Sequence, residues 1–127
     1  MPTASSYDYA VIRVVPHVER EEFINVGVIL FCRTQHFLAA KITLDEERLR
    51  ALAPTIDINC VQTHLSLIPR ICAGDKSHPI GQLSQAERFH WLVTPRSTSV
   101  QVSPVHTGLC TNPAESLEHL LEMMVNM

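Results

Sequence analysis

Three apolar segments in the first third of the chain predict three β-strands. Residues Tyr7–Pro16 and Ile24–Cys32 are rich in β-branched and aromatic side chains and show no helical period. The shorter segment Phe37–Ile42 follows residues 33–36, whose sequence RTQH is typical of a hairpin turn. The order of these segments predicts an antiparallel meander.

Residues of the first strand alternate between two faces of the predicted sheet. Both faces are largely apolar, which favours a central position for this strand. One face would carry Tyr7, Tyr9, Val11 and Arg13, and the other Asp8, Ala10, Ile12 and Val14.

The period then changes to that of helices. A helix is expected to begin after Asp45 and to stop at Pro54. A second helix is expected between Asp57 and Gly74, where Pro69 should kink or shorten it because proline removes a backbone hydrogen bond. Its buried positions are predicted to be Val61, Leu65, Ile68 and Cys72.

The last third of the chain mixes clear and ambiguous signals. Ser84 and Glu87 form a capping box that opens a short helix, but the following sequence RFHWLVT suits a strand equally well. Alternation over 98–103 predicts a half-exposed strand. Asn112 and the proline after it begin a final helix. Its buried stripe is predicted to be Ala114, Leu117, Leu121 and Met124.

Strands early in the chain and helices later predict an α+β fold. We expect an antiparallel sheet of about four strands, with helices packed mainly on one face. The length of 127 residues predicts a single domain over residues 1–127.

Composition narrows the classes of function. The formal net charge of −3 disfavours binding to nucleic acid or to an anionic membrane. No apolar segment is long enough to cross a bilayer, and the N-terminal residues do not resemble a secretory signal. The four cysteines have neither zinc-site nor redox spacing, so we expect reduced thiols in a cytoplasm and no metal or cofactor. Cys60 and His64, four residues apart, could supply a pair of metal ligands but lack a second pair.

A polar cluster in the later strand is the main candidate binding site. Guanidinium, hydroxyl and amide groups in this pattern suit a phosphate or a carboxylate. The candidate ligand-binding residues are Arg13, Arg96, Ser97, Thr98, Gln101, Ser103 and His106. The alternative is an ordinary strand with a polar outer face.

Arg13 lies inside an apolar strand and therefore needs an anion or water. It can form an anion clamp beside Tyr7 and Tyr9, but the simpler expectation is an internal ion pair. The acids available for that ion pair are Asp8, Glu21 and Glu22. Gly27, inside the second strand, indicates a β-bulge or a close approach of another group to its backbone.

His106 is the candidate catalytic residue. It is expected in a loop beside a strand end, where it could act as a general acid or base while Arg96 stabilises negative charge. The sequence offers no nucleophile–base pair, no phosphate-binding glycine loop and no paired carboxylates that would support this assignment.

Two sequence blocks resemble a bacterial family catalogued as domain of unknown function 3037. The first contains Tyr9, Arg13, Glu22, Phe23, Asn25, Val26, Gly27 and Val28. The second contains Pro95, Arg96, Ser97, Thr98, Gln101, Ser103, His106 and Gly108. The resemblance implies a small stand-alone protein, often encoded beside a HipA-like kinase, and hence an accessory or regulatory subunit.

Three functions follow from these observations. The first is a non-enzymatic module that binds another protein, such as a HipA-like kinase, or a second copy of itself through its anion-binding patch. The second is a small enzyme that acts on a phosphorylated or nucleotide-like substrate through His106. The third is a nucleic-acid-binding component, which the net charge disfavours.

Overall fold

The computed structural model describes residues 3–95 and 98–126, and it confirms the α+β class. The five antiparallel strands are β1 (Ser5–Val14), β2 (Ile24–Cys32), β3 (Phe37–Ile42), β4 (Val100–Val102) and β5 (His106–Cys110). The four α-helices are α1 (Glu46–Leu52), α2 (Ile58–Cys72), α3 (Gln85–Val93) and α4 (Pro113–Met124). None of these described helices has the length and apolar character that crossing a bilayer requires.

Strand β1 is the centre of the sheet. The strand order in the sheet is β3-β2-β1-β4. Strand β4 pairs with the second half of β1 and β5 with the first half, so β4 and β5 share one edge of the sheet. Helices α1, α2 and α3 pack on one face around Ile12, Ile29 and Leu65. Helix α4 covers the part of the opposite face formed by β2 and β3, where Leu30 and Leu117 are buried together.

Both ladders of β1 contain a register shift of one residue. Against β2, the partner of Ile12 is Gly27 but the partner of Arg13 is Asn25, so Val26 is an extra residue and forms a bulge. The predicted bulge near Gly27 is therefore confirmed. A β-carbon on Gly27 would lie 2.6 Å from the carbonyl oxygen of Lys41, which explains why glycine fits here.

The second shift separates β4 from β5. Ala10 and Val11 lie opposite three residues, 103–105, because Ile12 pairs with Val102 whereas Tyr9 pairs with His106. The predicted strand over 98–103 is thus shorter than expected. His106 was expected in a loop but begins β5, because the chain re-pairs with β1 after the break.

Ser103 closes the ladder at this break. Its backbone N–H donates to the carbonyl of Val11 at 2.8 Å, and its hydroxyl accepts from the Val11 N–H at 2.8 Å. The hydroxyl in turn donates to the carbonyl of Pro104 at 2.9 Å. The side chain therefore replaces the carbonyl acceptor that a continuous strand would supply.

Helix α2 continues through Pro69 to Cys72, so of the two expected effects, a kink or a shortened helix, the shortening is wrong. Pro69 costs the one hydrogen bond that its missing N–H would donate to the carbonyl of Leu65, and the helix still closes after it, with the Ala73 N–H donating to the carbonyl of Pro69 at 3.0 Å. Arg88 on α3, which is 9% exposed, donates to the carbonyls of Ile71 and Cys72 at 2.8 and 2.7 Å. A buried cation thus donates hydrogen bonds to the free carbonyls at the C-terminal end of α2, where the helix dipole favours positive charge.

The segment after Ser84, which suited a helix and a strand equally well, is a helix. The segment RFHWLVT belongs to α3, and Phe89 packs against Phe31 of the sheet with ring centroids 5.2 Å apart. In α4, the predicted stripe is correct for Leu117 and Leu121, while Ala114 is exposed and Met124 is half-buried. Leu120 is buried instead, since α4 rests on the sheet with a broader face than predicted.

Replacing Ser103 with alanine should lower the free energy of unfolding by about 1–3 kcal/mol, because the buried N–H of Val11 would lose its acceptor. Urea denaturation measures this change. Ser99→Ala is the matched control, because exposed Ser99 contributes only its backbone carbonyl to the ladder. Equal unfolding free energies for the two variants would contradict the role of the Ser103 hydroxyl.

Candidate functional site

Arg13 lies on the face of β1 that α4 leaves partly open. Its guanidinium carbon stands 4.1 Å from the centroid of the Phe23 ring, which is 45% exposed. Within the described residues, Arg13 forms no ion pair, so the expected pairing with a neighbouring acid is wrong. Glu22 pairs instead with Arg20, at 2.8 Å. The ring of Phe23 holds the cation by a cation–π contact without neutralising it.

Asn25 joins Arg13 on this face because of the bulge at Val26. The two residues are cross-strand partners. Asn25 donates from Nδ2 to the carbonyl of Met124 at 3.1 Å, which ties β2 to the end of α4. Arg13 Nε and Asn25 Oδ1 are both buried and have no hydrogen-bond partner among the described residues. An unpaired donor and an unpaired acceptor therefore lie on neighbouring strands.

Gln101 is the partner of Arg13 on the other side of β1. Its side-chain amide donates to the carbonyl of Thr98 at 2.9 Å, and the Thr98 hydroxyl donates to the carbonyl of Val100 at 2.7 Å. These two donors are therefore already used within the strand end. Arg96 and Ser97, which were predicted to bind with them, lie outside the described residues.

Thr98 and Gln101 also line an apolar groove between the edge of β4 and helices α2 and α3. Its volume is about 180 Å³. The walls are formed by His64, Leu67, Ile68, Trp91, Leu92, Thr94, Val100 and Val102. The groove is on the opposite side of β4 from the guanidinium of Arg13, since Val100 and Val102 belong to the core under α2.

Ser103 was predicted among the ligand-binding residues, but its hydroxyl closes the ladder to Val11 as described above. It is 3% exposed, so this hydroxyl faces the backbone of β1 rather than solvent. The half-exposed outer position expected for it is therefore wrong, because the chain breaks away from β1 at this residue.

His106 is exposed and packs against Tyr9, with ring centroids 5.4 Å apart. The pairing of Tyr9 with His106 places the imidazole on the same face as Arg13, about 13 Å further along β1 by the rise of a strand. Within the described part of the chain, no acid forms an ion pair with His106. It therefore lacks the orienting partner that a general base usually has.

Tyr7 continues this row of rings, 6.0 Å from Tyr9 between centroids. It lies across Gly108, where an added β-carbon would be 2.5 Å from the tyrosine oxygen. Only glycine leaves room for the ring at this position. Burial, with smaller contributions from Tyr9 and Cys110, raises the pKa of Tyr7.

Cys60 and His64 are both exposed on α2. The described residues contain no group of three or more side chains suited to hold a metal ion. The other described thiols, Cys32, Cys72 and Cys110, are buried and unpaired. Burial raises the pKa of Cys72 to about 12 and also raises that of Cys110.

A family model described as a protein of unknown function, DUF3037, matches residues 9–125. The chain belongs to the DUF3037 family. This match spans nearly the whole chain, from Tyr9 in β1 to Val125 after α4, and it confirms the resemblance found in the sequence. No curated protein and no solved structure matches this DUF3037 chain.

The reading of single residues missed the roles of Phe23 and Asn25 in this DUF3037 protein. Both lie beside Arg13, although they come ten or more positions later in the sequence. The available signal was the segment Phe-x-Asn-Val-Gly, which carried the family resemblance but suggested no contact with Arg13.

In the folded protein at pH 8, Cys60 should react with an aromatic disulfide reagent much faster than Cys72. Cys60 is exposed, whereas Cys72 is buried and its pKa of about 12 keeps the thiolate fraction very small. Mass spectrometry of the labelled protein identifies the reacting thiol, and Cys60→Ser should remove the fast phase. Labelling of Cys72 at the rate of Cys60 would contradict the burial of this side chain.

Proposed function

We propose that this DUF3037 chain is a non-enzymatic binding module whose Arg13 face binds an anionic group on a protein partner. The Arg13 face comprises Arg13, Phe23 and Asn25. The observation that carries the proposal is the charge of Arg13, which no acid among the described residues neutralises. A partly buried cation without an internal counter-ion attracts a carboxylate or a phosphate from outside.

The surroundings of Arg13 suit recognition rather than chemistry. Phe23 restricts the guanidinium and presents an exposed aromatic ring beside it, and aromatic and arginine side chains are common at the centres of protein interfaces. The restricted guanidinium loses little freedom when it forms paired hydrogen bonds with an anion. Asn25 completes this face as the cross-strand partner of Arg13.

The nature of the partner rests on the family resemblance in the sequence. Because such chains are often encoded beside a HipA-like kinase, we propose that kinase as the partner and a regulatory role for this chain. Acidic or phosphorylated side chains of the kinase would supply the group that Arg13 binds.

Arg13→Gln should weaken binding to the proposed HipA-like kinase partner by about 30-fold. Loss of one member of a desolvated charge pair costs roughly 2 kcal/mol or more, and each ~1.4 kcal/mol is a factor of ten. Isothermal titration calorimetry with the two purified proteins measures the change. Arg13→Lys should recover part of the affinity, because it restores the charge but not the paired hydrogen bonds.

Arg33→Gln is the matched control, because Arg33 is also cationic but lies exposed in the turn after β2, at the opposite end of the β1–β2 ladder from Arg13. It should bind as the unchanged protein does. Circular dichroism must show that each variant is folded. Failure of the unchanged protein to bind the kinase would refute the choice of partner, and equal affinities of Arg13→Gln and the unchanged protein would refute the role of Arg13.

A further inference from the structure

Strand β5 leaves one side of its backbone unpaired in the described part of the chain. It pairs with β1 and lies at the edge of the sheet. Hydrogen bonds of Val11 to Ser103 and of Val15 to Ser99 show that odd-numbered residues of β1 direct their backbone groups toward this edge. Thr107 and Leu109 lie opposite the even-numbered residues of β1, so their own N–H and C=O groups point outward.

The sequence of β5 contains few features that would prevent this edge from pairing with another strand. The strand HTGLC contains no lysine, acidic residue or proline, which are the residues that usually discourage edge pairing. The edge strand on the other side of the sheet, β3, instead carries Lys41, which is paired with Glu118 of α4. Leu109 on β5 is 73% exposed, the most exposed of the large apolar side chains in the described residues.

We propose that two copies of this chain pair through β5, antiparallel and about a two-fold axis at Gly108. In this register, Thr107 lies opposite the partner subunit's Leu109, and the outward backbone groups of both strands meet in hydrogen bonds. The two sheets then become one continuous sheet. The exposed Leu109 side chains are partly covered, since each packs against the threonine of the other subunit.

Charge favours a second copy as the occupant of this edge. In a two-fold pairing about Gly108, a charged residue on this short strand would lie near its own copy on the partner strand. Strand β5 avoids this repulsion, because His106 is its single titratable nitrogen base and lies at the end of the strand, away from the axis. Within β5, the pairing therefore brings no acidic or lysine side chains close to their copies.

Tyr7 provides a second observation at the same place. The ring crosses Gly108, and its hydroxyl oxygen lies over that residue. On the proposed axis, Gly108 lies opposite the partner's Gly108, so the two tyrosine hydroxyls come near each other over the strand pair. The two hydroxyls can then hydrogen-bond to each other.

Sedimentation equilibrium from micromolar to sub-millimolar concentrations tests the proposal. The unchanged protein should form a dimer, and Leu109→Lys should raise its dissociation constant by at least tenfold, because two like charges would meet at the edge. Thr107→Pro, which removes an outward N–H, should do the same. Met123→Lys is the control, since Met123 is an exposed apolar residue of α4 away from this edge, and it should remain a dimer.

Hydrogen exchange identifies the surface used. The amide protons of Thr107 and Leu109 should exchange slowly in the dimer and rapidly after dilution to the monomer. A protein that stays monomeric at every concentration would overturn the proposal. A dimer that survives Leu109→Lys, or one in which these two amides exchange rapidly, would also overturn it. None of these outcomes depends on the proposed binding of the kinase to Arg13.

Discussion

The arrangement of this protein depends on the two backbone ladders of strand β1, each of which shifts register by one residue. In a β-strand, side chains alternate between faces, so a shift of one residue exchanges the faces of everything beyond it. The extra residue Val26 brings Asn25 beside Arg13, and the extra residue in 103–105 brings His106 beside Tyr9. Two bulges thus place polar and aromatic side chains on one face of the sheet, one group beside Arg13 and the other beside Tyr9.

Each shift is stabilised by a specific local interaction. At the first, Gly27 allows the backbone of β2 to approach that of Lys41 without a side chain between them. At the second, the Ser103 hydroxyl takes over the hydrogen bond that the interrupted strand cannot make. The buried guanidinium of Arg88 performs a similar task for the last carbonyls of α2. Buried polar groups in these places are satisfied, which makes the unpaired atoms of Arg13 and Asn25 stand out.

The two proposed surfaces of this DUF3037 chain lie along opposite ends of strand β1. Helix α4 covers β2 and β3, while Arg13 lies beside β4 and the β5 edge pairs with the first half of β1. In the proposed dimer, antiparallel pairing through β5 keeps corresponding faces of the two sheets on the same side. Both copies of Arg13 would then face one direction, so a dimeric partner could engage both and gain affinity from the two linked contacts.

The sequence by itself determined the elements whose signals are local. Capping residues such as Asp45, Asp57 and Asn112 marked where helices begin, and alternation of apolar residues marked the first three strands. Together these signals gave the α+β class. The sequence also singled out Arg13 as a charge in an apolar strand, which is the residue on which the proposed function depends.

Only the tertiary structure decided which side chains meet. Register shifts arise from backbone pairing between strands that are distant in sequence, so alternation within one strand cannot reveal them. For this reason the pairing of Asn25 with Arg13, the buried role of Ser103 and the start of β5 at His106 were not predicted. The tertiary structure also decided that no acid pairs with Arg13. Glu22, which is near Arg13 in the sequence, pairs with Arg20 once the chain has folded.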